Sequence, residues 1–255
     1  MSKDNSGVLV GRNAVKELLR SGRDIDKILI AHGAGHGVGD IIRMAKERRI
    51  VISNVPTSKL DELSDGVPHQ GVAAYVAEAD YATVDDIFAL AEERGEPPLI
   101  VIADEISDPH NLGAIIRCAE GAGAHGIIIP NRRSSGLTQV VAKSSAGALS
   151  WLPVVRVTNL AREVDELKKR GVWVWAAEAG ATPYYENDMT GACAIILGSE
   201  GEGVSRLLKE KSDFMISIPM YGRVTSFNVS TASAVILCEA ARQRHGGRSF
   251  QKKGD

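Results

Sequence analysis

The chain has 255 residues, a formal net charge of −2, 44% hydrophobic and 24% charged residues, which is ordinary for a globular protein of one large or two modest domains. No stretch reaches the ~18 apolar residues of a membrane span, and the opening MSKDNSGVLV has no apolar run of signal-peptide length, so no membrane association and a cytoplasmic location are expected. Cys118, Cys193 and Cys238 are far apart and form no CxxC, so neither a disulfide framework nor a metal site is expected.

The first part alternates helix and strand signals. Arg12 to Arg20 carries Ala14, Val15, Leu18 and Leu19 at helical spacing. Lys27 to Ala31 reads as a strand, Gly39 to Arg49 as a helix and Val51 to Val55 as a strand. Thr57 to Leu63 is a short helix that Thr57 or Ser58 would cap, and Gly71 to Ala77 is a strand. This predicts a small α/β domain over residues 1–78. Residues 79–98 are charged, hold a connecting helix from Val84 to Arg94 and end in Pro97-Pro98, the mark of a linker.

From residue 99 the alternation is cleaner, and it predicts a second domain over 99–245. Strands are expected at Leu99–Ala103, Gly126–Ile129, Val154–Val157, Val172–Ala177, Ala192–Leu197 and Phe214–Ile218. Helices are expected at Leu112–Ala122, Thr138–Leu149, Leu160–Arg170, Val204–Lys211 and Val229–Arg244. Apolar strands without alternation imply a parallel sheet covered by helices on both faces. Residues 246–255 are expected to be a basic, flexible tail. The runs Arg43 to Arg49 and Arg242 to Lys253 read either as solvated faces or as contacts to an anionic partner.

Two glycine clusters invite a nucleotide-binding reading. Gly121 to Gly126 matches GxGxxG but follows a helix and precedes a strand, the reverse of the dinucleotide context, and reads as a helix end and turn. Gly33 to Gly39 has the context without the spacing and reads as a flexible loop able to approach a phosphate backbone.

Three later segments carry more. Asn111-Leu-Gly113-Ala-Ile-Ile-Arg117 opens a helix after a strand and an acidic loop. Asn111 suits an N-cap, and Arg117 among apolar neighbours calls for an ion-pair partner or an anionic ligand. Gly198-Ser-Glu200-Gly201-Glu202-Gly203 is too glycine-rich for a mere turn, and glycine lets a ligand approach the backbone. Ser226-Phe227-Asn228-Val229-Ser230-Thr231 opens the last helix with more hydroxyl and amide groups than one cap requires. Two such loops after parallel strands suggest one pocket built largely of backbone.

In this order the three segments resemble the three motifs of the SpoU (TrmH-like) family of RNA ribose 2'-O-methyltransferases. The resemblance covers the whole chain. Asn111, Gly113 and Arg117 match the first motif, Glu200 the second, and Ser226 and Asn228 the third. The opening Gly11-Arg12-Asn13-Ala14-Val15 resembles the substrate-binding domain of the branch that modifies a guanosine of 23S ribosomal RNA. Phe227 and Thr231 stand where many members carry Leu and Val.

The resemblance implies an α/β fold with a parallel sheet and a C-terminal trefoil knot of the SPOUT type, plus a small N-terminal L30e-like α/β domain that binds RNA. It implies a homodimer, S-adenosyl-L-methionine as methyl donor, and 23S ribosomal RNA as partner, with a transfer RNA guanosine as the alternative substrate. It makes Arg117, Asn111, Glu200, Ser226 and Asn228 the catalytic set. A guanidinium keeps its proton in proteins. Arg117 is therefore expected to clamp a phosphate and stabilise the developing alkoxide, with Asn111 and Glu200 orienting it and the ribose. Leu197, Gly198, Gly201, Ile218, Met220 and Phe227 are expected to contact the cofactor, and Arg12, Arg20 and Arg23 the RNA. A nicotinamide-dependent oxidoreductase would need a glycine fingerprint where Asp104 to Asn111 stands. A non-catalytic RNA-binding protein would lack the Arg117 and Glu200 pair.

Overall fold

The computed structural model describes residues 7–64, 66–199 and 201–246. Glu200 and the basic residues Arg248, Lys252 and Lys253, singled out in the sequence, lie outside the described residues. The chain divides into two compact units, Met1–Asp80 with Gly136–Lys143, and Tyr81–Ser135 with Ser144–Asp255.

The first unit runs β1 (Val8–Val10), α1 (Arg12–Arg20), β2 (Ile25–Ala31), α2 (Gly39–Glu47), β3 (Val51–Val55), α3 (Thr57–Ser64) and β4 (Val72–Val76). Its sheet has the order β1-β4-β2-β3, with only β2 and β3 parallel. Side chains alternate across β2 as a pleated strand requires. Ile28 and Ile30 pack with Val15, Leu18 and Ile41 on one face. Leu29 and Ala31 pack with Leu60 on the other. The sequence does not announce β1, because three residues are too few to show an alternation. The chain leaves α2 two residues earlier than its pattern suggests, and Arg49 turns through a positive φ of 56°.

The second unit runs α4 (Val84–Arg94), β5 (Leu99–Ala103), α5 (Pro109–Gly121), β6 (Gly126–Pro130), then α6 (Gln139–Ser144), β7 (Val154–Val157), α7 (Leu160–Lys169), β8 (Trp173–Pro183), β9 (Cys193–Leu197), α8 (Arg206–Lys211), β10 (Phe214–Ser217) and α9 (Val229–His245). Of α6, residues through Lys143 belong to the first unit. The six strands have the order β10-β8-β9-β5-β6-β7, and every neighbouring pair is parallel. All five residues of β5 and all five of β9 are buried, so their unbroken apolar runs reflect cover on both faces. Ile100, Ile102 and Ile196 meet Ile87 of α4, Val164 of α7 and Leu208 of α8. Each such fully buried aliphatic side chain contributes about 1.5–3 kcal/mol. Helices α5 and α9 pack against each other.

Several sequence expectations shift here. The stretch 79–98, expected to connect two domains, gives α4 to the second unit and buries Ile87 in its core. The helix expected from Thr138 to Leu149 stops at Ser144, because Ala146 and Gly147 take positive φ of 50° and 90°. Within the first unit, the Leu137 N–H donates to Asp26 Oδ1 at 3.3 Å and the Glu78 N–H to the Leu137 carbonyl at 2.8 Å. Strand β8 runs six residues past its expected end. Helix α5 begins at Pro109, capped by Asp108, whose side chain accepts from the His110 N–H at 3.0 Å. Asn111 is therefore not the cap. Pro109 at the first helical position, where no N–H is needed, moves the start upstream.

At the amino-end of the sheet, Arg244 near the end of α9 donates to the carbonyls of Pro97, Pro98, Met189 and Gly191. His125 is fully buried beside it, with Nδ1 accepting from the Leu99 N–H at 3.0 Å. Among the described residues, no helix is long and apolar enough to cross a membrane.

Candidate active site

Strands β9 and β10 flank β8, so their three carboxyl-end loops converge. Parallel sheets place ligand sites at such ends. A cleft of about 630 Å³ opens there, closed on its remaining side by the start of α9. Leu197, Gly198, Gly201, Ile218, Met220 and Phe227 all line it, and so do Ser226 and Asn228.

The loop after β9 folds back on itself. The Gly203 N–H donates to the Ser199 carbonyl at 3.0 Å. A Cβ on Gly198 would fall 2.0 Å from the backbone carbon of Gly203, so only glycine fits. Gly201 and Gly203 take φ of 93° and 66°, the region glycine enters without strain. Asp104, at the end of β5 and 4% exposed, fixes both ends of this loop. Its N–H donates to the Leu197 carbonyl at 2.8 Å, and its Oδ2 accepts from the Ser205 N–H at 2.7 Å. In the sequence, Asp104 shows only as the first residue of an acidic loop after an apolar run, and nothing there marks its burial.

Asn228 joins the cleft to α5. It caps α9, its Oδ1 accepting from the Ser230 N–H at 2.9 Å and the Ser230 hydroxyl at 2.5 Å. Its Nδ2 donates to Asn111 Oδ1 at 3.1 Å. Thus Asn111 touches the cleft wall without lining the cleft. Ser226 lies exposed on the loop just before the cap.

Of the two alternatives the sequence leaves open for Arg117, the ion pair is not formed among the described residues. Helical spacing turns Leu112, Ile115, Ile116 and Ala119 to the core, and Arg117 falls on the exposed side. It needs no ion-pair partner there, and none is found among the described residues. Six residues beyond Asn111 it stands ~9 Å further along α5, and it does not line the cleft of its own chain.

Glu178, on β8, also lines the cleft, and its Oε1 accepts from Lys209 Nζ at 3.0 Å. Sequence reasoning missed it because β8 was expected to end at Ala177. Among the described residues, no group of His, Cys, Asp or Glu side chains is placed to hold a metal ion.

In the first unit, Arg12 Nε donates to the Gln70 carbonyl at 2.9 Å, and its guanidinium lies against Gly37, where a Cβ would meet Nη1. Arg20 pairs with Glu17 at 2.5 Å. Arg23 is exposed.

Comparison with known proteins agrees with this geometry. Residues 98–238 match the SpoU rRNA methylase family, and residues 8–82 match the RNA 2'-O ribose methyltransferase substrate-binding domain. YacO of Bacillus subtilis (strain 168), assigned to the TrmH family of tRNA/rRNA methyltransferases, is 47% identical over 239 residues, spanning 93% of this chain and 96% of that protein. The crystal structure of the SpoU methyltransferase AviRb from Streptomyces viridochromogenes, in complex with the cofactor AdoMet, superimposes with a TM-score of 0.61 at 26% identity, covering 94% of this chain and 91% of that one. The A. aeolicus TrmH/SpoU tRNA modifying enzyme is 30% identical with a TM-score of 0.55, covering 64% of this chain and 84% of that one.

The cleft fits S-adenosylmethionine on its own chemistry. Apolar side chains of Leu197, Ile218, Met220 and Phe227 suit an adenine ring, and the glycine loop lets a ligand reach the backbone. Among its described lining residues none is Lys or Arg, while Glu202 is acidic, which suits a cationic sulfonium. The chain belongs to the SpoU family of RNA methyltransferases, with S-adenosylmethionine as its methyl donor.

Proposed function

We propose that this enzyme methylates the ribose 2'-OH of a guanosine in 23S ribosomal RNA, in support of ribosome assembly in the cytoplasm. The observation that carries this reading is the match of residues 8–82 to a substrate-binding domain of RNA 2'-O ribose methyltransferases, joined to a SpoU rRNA methylase match over 98–238. Methylation of a transfer RNA guanosine is the second reading. It is favoured by the likeness to the A. aeolicus tRNA modifying enzyme, which extends over 64% of this chain.

The finer architecture belongs to the same proposal. Residues 1–78 form an L30e-like RNA-binding domain, and the second unit, which takes in α4, is the methyltransferase domain with its C-terminal part tied as a trefoil knot. Arg12, Arg20 and Arg23 contact RNA phosphates.

The cofactor supplies a methyl group activated by its sulfonium. Leu197, Gly198, Gly201, Ile218, Met220 and Phe227 hold it, mostly through backbone. A ribose hydroxyl is a poor nucleophile and must shed its proton, to solvent water, as it attacks. Arg117 clamps the adjoining phosphate and stabilises the negative charge that develops on the 2'-oxygen. Asn111, Glu200, Ser226 and Asn228 orient the ribose, the first and last as one hydrogen-bonded unit. Arg117 does not line its own cleft, and this supports a homodimer in which it enters a site shared between subunits.

The test is methyl transfer from labelled S-adenosylmethionine to two unmodified transcripts, a 23S RNA fragment from the peptidyl-transferase region and a transfer RNA, each digested to locate the label. Label in a 2'-O-methylguanosine of the 23S fragment alone is the expected result. Label in the transfer RNA alone overturns the substrate and keeps the chemistry.

A further inference from the structure

Glu178 has no role in the reading above, yet it faces the cleft. It stands on the extended part of β8, between the loops that follow β9 and β10. Its side chain is about one-third exposed, and its partner Lys209 is similarly placed. Oε1 is engaged by Lys209 Nζ at 3.0 Å. Oε2 lies over the glycine loop, 3.5 Å from where a Cβ on Gly203 would be. That leaves one carboxylate oxygen directed at the backbone on which the cofactor is held.

The ion pair decides what this oxygen suits. An ammonium 3.0 Å away offsets the carboxylate charge, so a second cation gains little by approaching. A neutral hydroxyl gains a directional bond to an ionised acceptor. The cofactor offers such donors in one place only, the vicinal diol of its adenosine ribose. The cationic ammonium and sulfonium of its methionine arm are disfavoured beside Lys209. Adenine N6–H is a weaker competitor, because the apolar Leu197, Ile218, Met220 and Phe227 provide its surface elsewhere in the cleft.

We propose that Glu178, held in place by Lys209, accepts a hydrogen bond from a ribose hydroxyl of the cofactor and so selects ribonucleoside forms of it. The inference rests on the assignment of the cofactor to this cleft. Glu178 is thereby a cofactor-binding residue, and Lys209 a positioning one.

Calorimetric binding to the full-length protein tests it with four probes: S-adenosylhomocysteine, its 2'-deoxy and 3'-deoxy forms, and 5'-methylthioadenosine, which lacks the ammonium. Glu178→Ala is expected to weaken S-adenosylhomocysteine and 5'-methylthioadenosine alike by roughly 10- to 100-fold, the worth of a bond to a charged group. For one deoxy form, which already lacks the donated hydroxyl, wild type and variant should agree within about threefold. Glu178→Gln keeps an acceptor oxygen without its charge, and its loss on S-adenosylhomocysteine and 5'-methylthioadenosine should be smaller than that of Glu178→Ala. Equal losses on all four probes would overturn the proposal in favour of a structural ion pair. A loss on S-adenosylhomocysteine with none on 5'-methylthioadenosine would overturn it in favour of an ammonium contact. Wild-type protein that binds none of the probes would overturn the cleft assignment together with it.

Discussion

Arg117 and His125 illustrate how position on an element decides what a side chain can do. Arg117 sits on the outer face of α5 with its guanidinium uncommitted among the described residues, which suits a group that must meet substrate. Truncating an exposed side chain costs the fold little, whereas removing a preorganised cation from developing charge costs ~10²–10³ in turnover. Arg117→Ala should therefore reduce methyl transfer at least ~100-fold while cofactor affinity stays within about threefold and the unfolding midpoint is unchanged. Full activity in a radiolabel assay would remove Arg117 from the mechanism. His125 is the opposite case. Burial first, and then repulsion from Arg94, push its pKa from 6.5 down to about 4, against the pull of Glu96. The unfolded chain binds the proton that the folded chain refuses. Stability from this group is complete above pH 6.5 and is lost as pH falls towards about 4, with a slope of up to ~1.4 kcal/mol per pH unit. Urea unfolding at pH 7, 6 and 5 should show that slope in the wild type and a flatter one in His125→Gln. An identical slope in both would mean other groups govern the acid limb.

The loop after β9 is the element on which the cleft depends, and its glycines were readable as a site before any geometry. What the sequence could not convey was the reason for each. Gly198 is required by the backbone of Gly203 across the loop, a contact between residues whose approach depends on Asp104 gripping both loop ends. Overpacking a tight backbone contact costs about 1–3 kcal/mol. Gly198→Ala should lower cofactor affinity by tenfold or more on that scale, whereas Gly222→Ala, which meets nothing within 4 Å, should leave it unchanged. Equal behaviour of the two in a binding titration would show that the loop rearranges freely. The same distinction explains which elements were legible. The buried strands β5 and β9 announced themselves because cover on both faces demands unbroken apolar runs. The extension of β8 through Glu178 to Pro183 did not, since it is written in Glu, Ala, Gly and Thr, and its pairing with β10 shifts register so that only Thr182 and Pro183 regain partners. The start of α5 was misplaced because Asn111 and Asp108 are both good caps, and only Pro109 breaks the tie. Asn111 and Asn228 were legible as candidate residues, but their hydrogen bond across 117 positions was not.

At the scale of the whole molecule, a net charge of −2 has to be reconciled with an RNA substrate. Long-range attraction is absent, so RNA must be held by local cations whose charge is not already spent. In the first unit much of it is spent: Lys16 pairs with Asp40, Arg43 with Glu47, Lys59 with Glu62 and Arg20 with Glu17. Among the described residues, Arg12 and Arg23 have no such ion pair. Arg12 in addition is pre-oriented, with Nε fixed by the Gln70 carbonyl and the guanidinium resting on Gly37. A phosphate contact from Arg12 therefore loses little side-chain entropy, and one from Arg20 must first release Glu17. Each phosphate contact releases condensed counterions and adds about 0.7–0.9 to the slope of log affinity against log salt. Arg12→Ala and Arg23→Ala should each weaken RNA binding across sequences and reduce that slope by about one, with Arg20→Ala giving the smallest change. Cofactor affinity should be the same in all three, because the cleft is built wholly from the second unit. Filter binding between 50 and 200 mM salt on the order of the range used for such slopes decides the matter. A slope that none of the three substitutions alters would place the RNA contacts on the second unit instead.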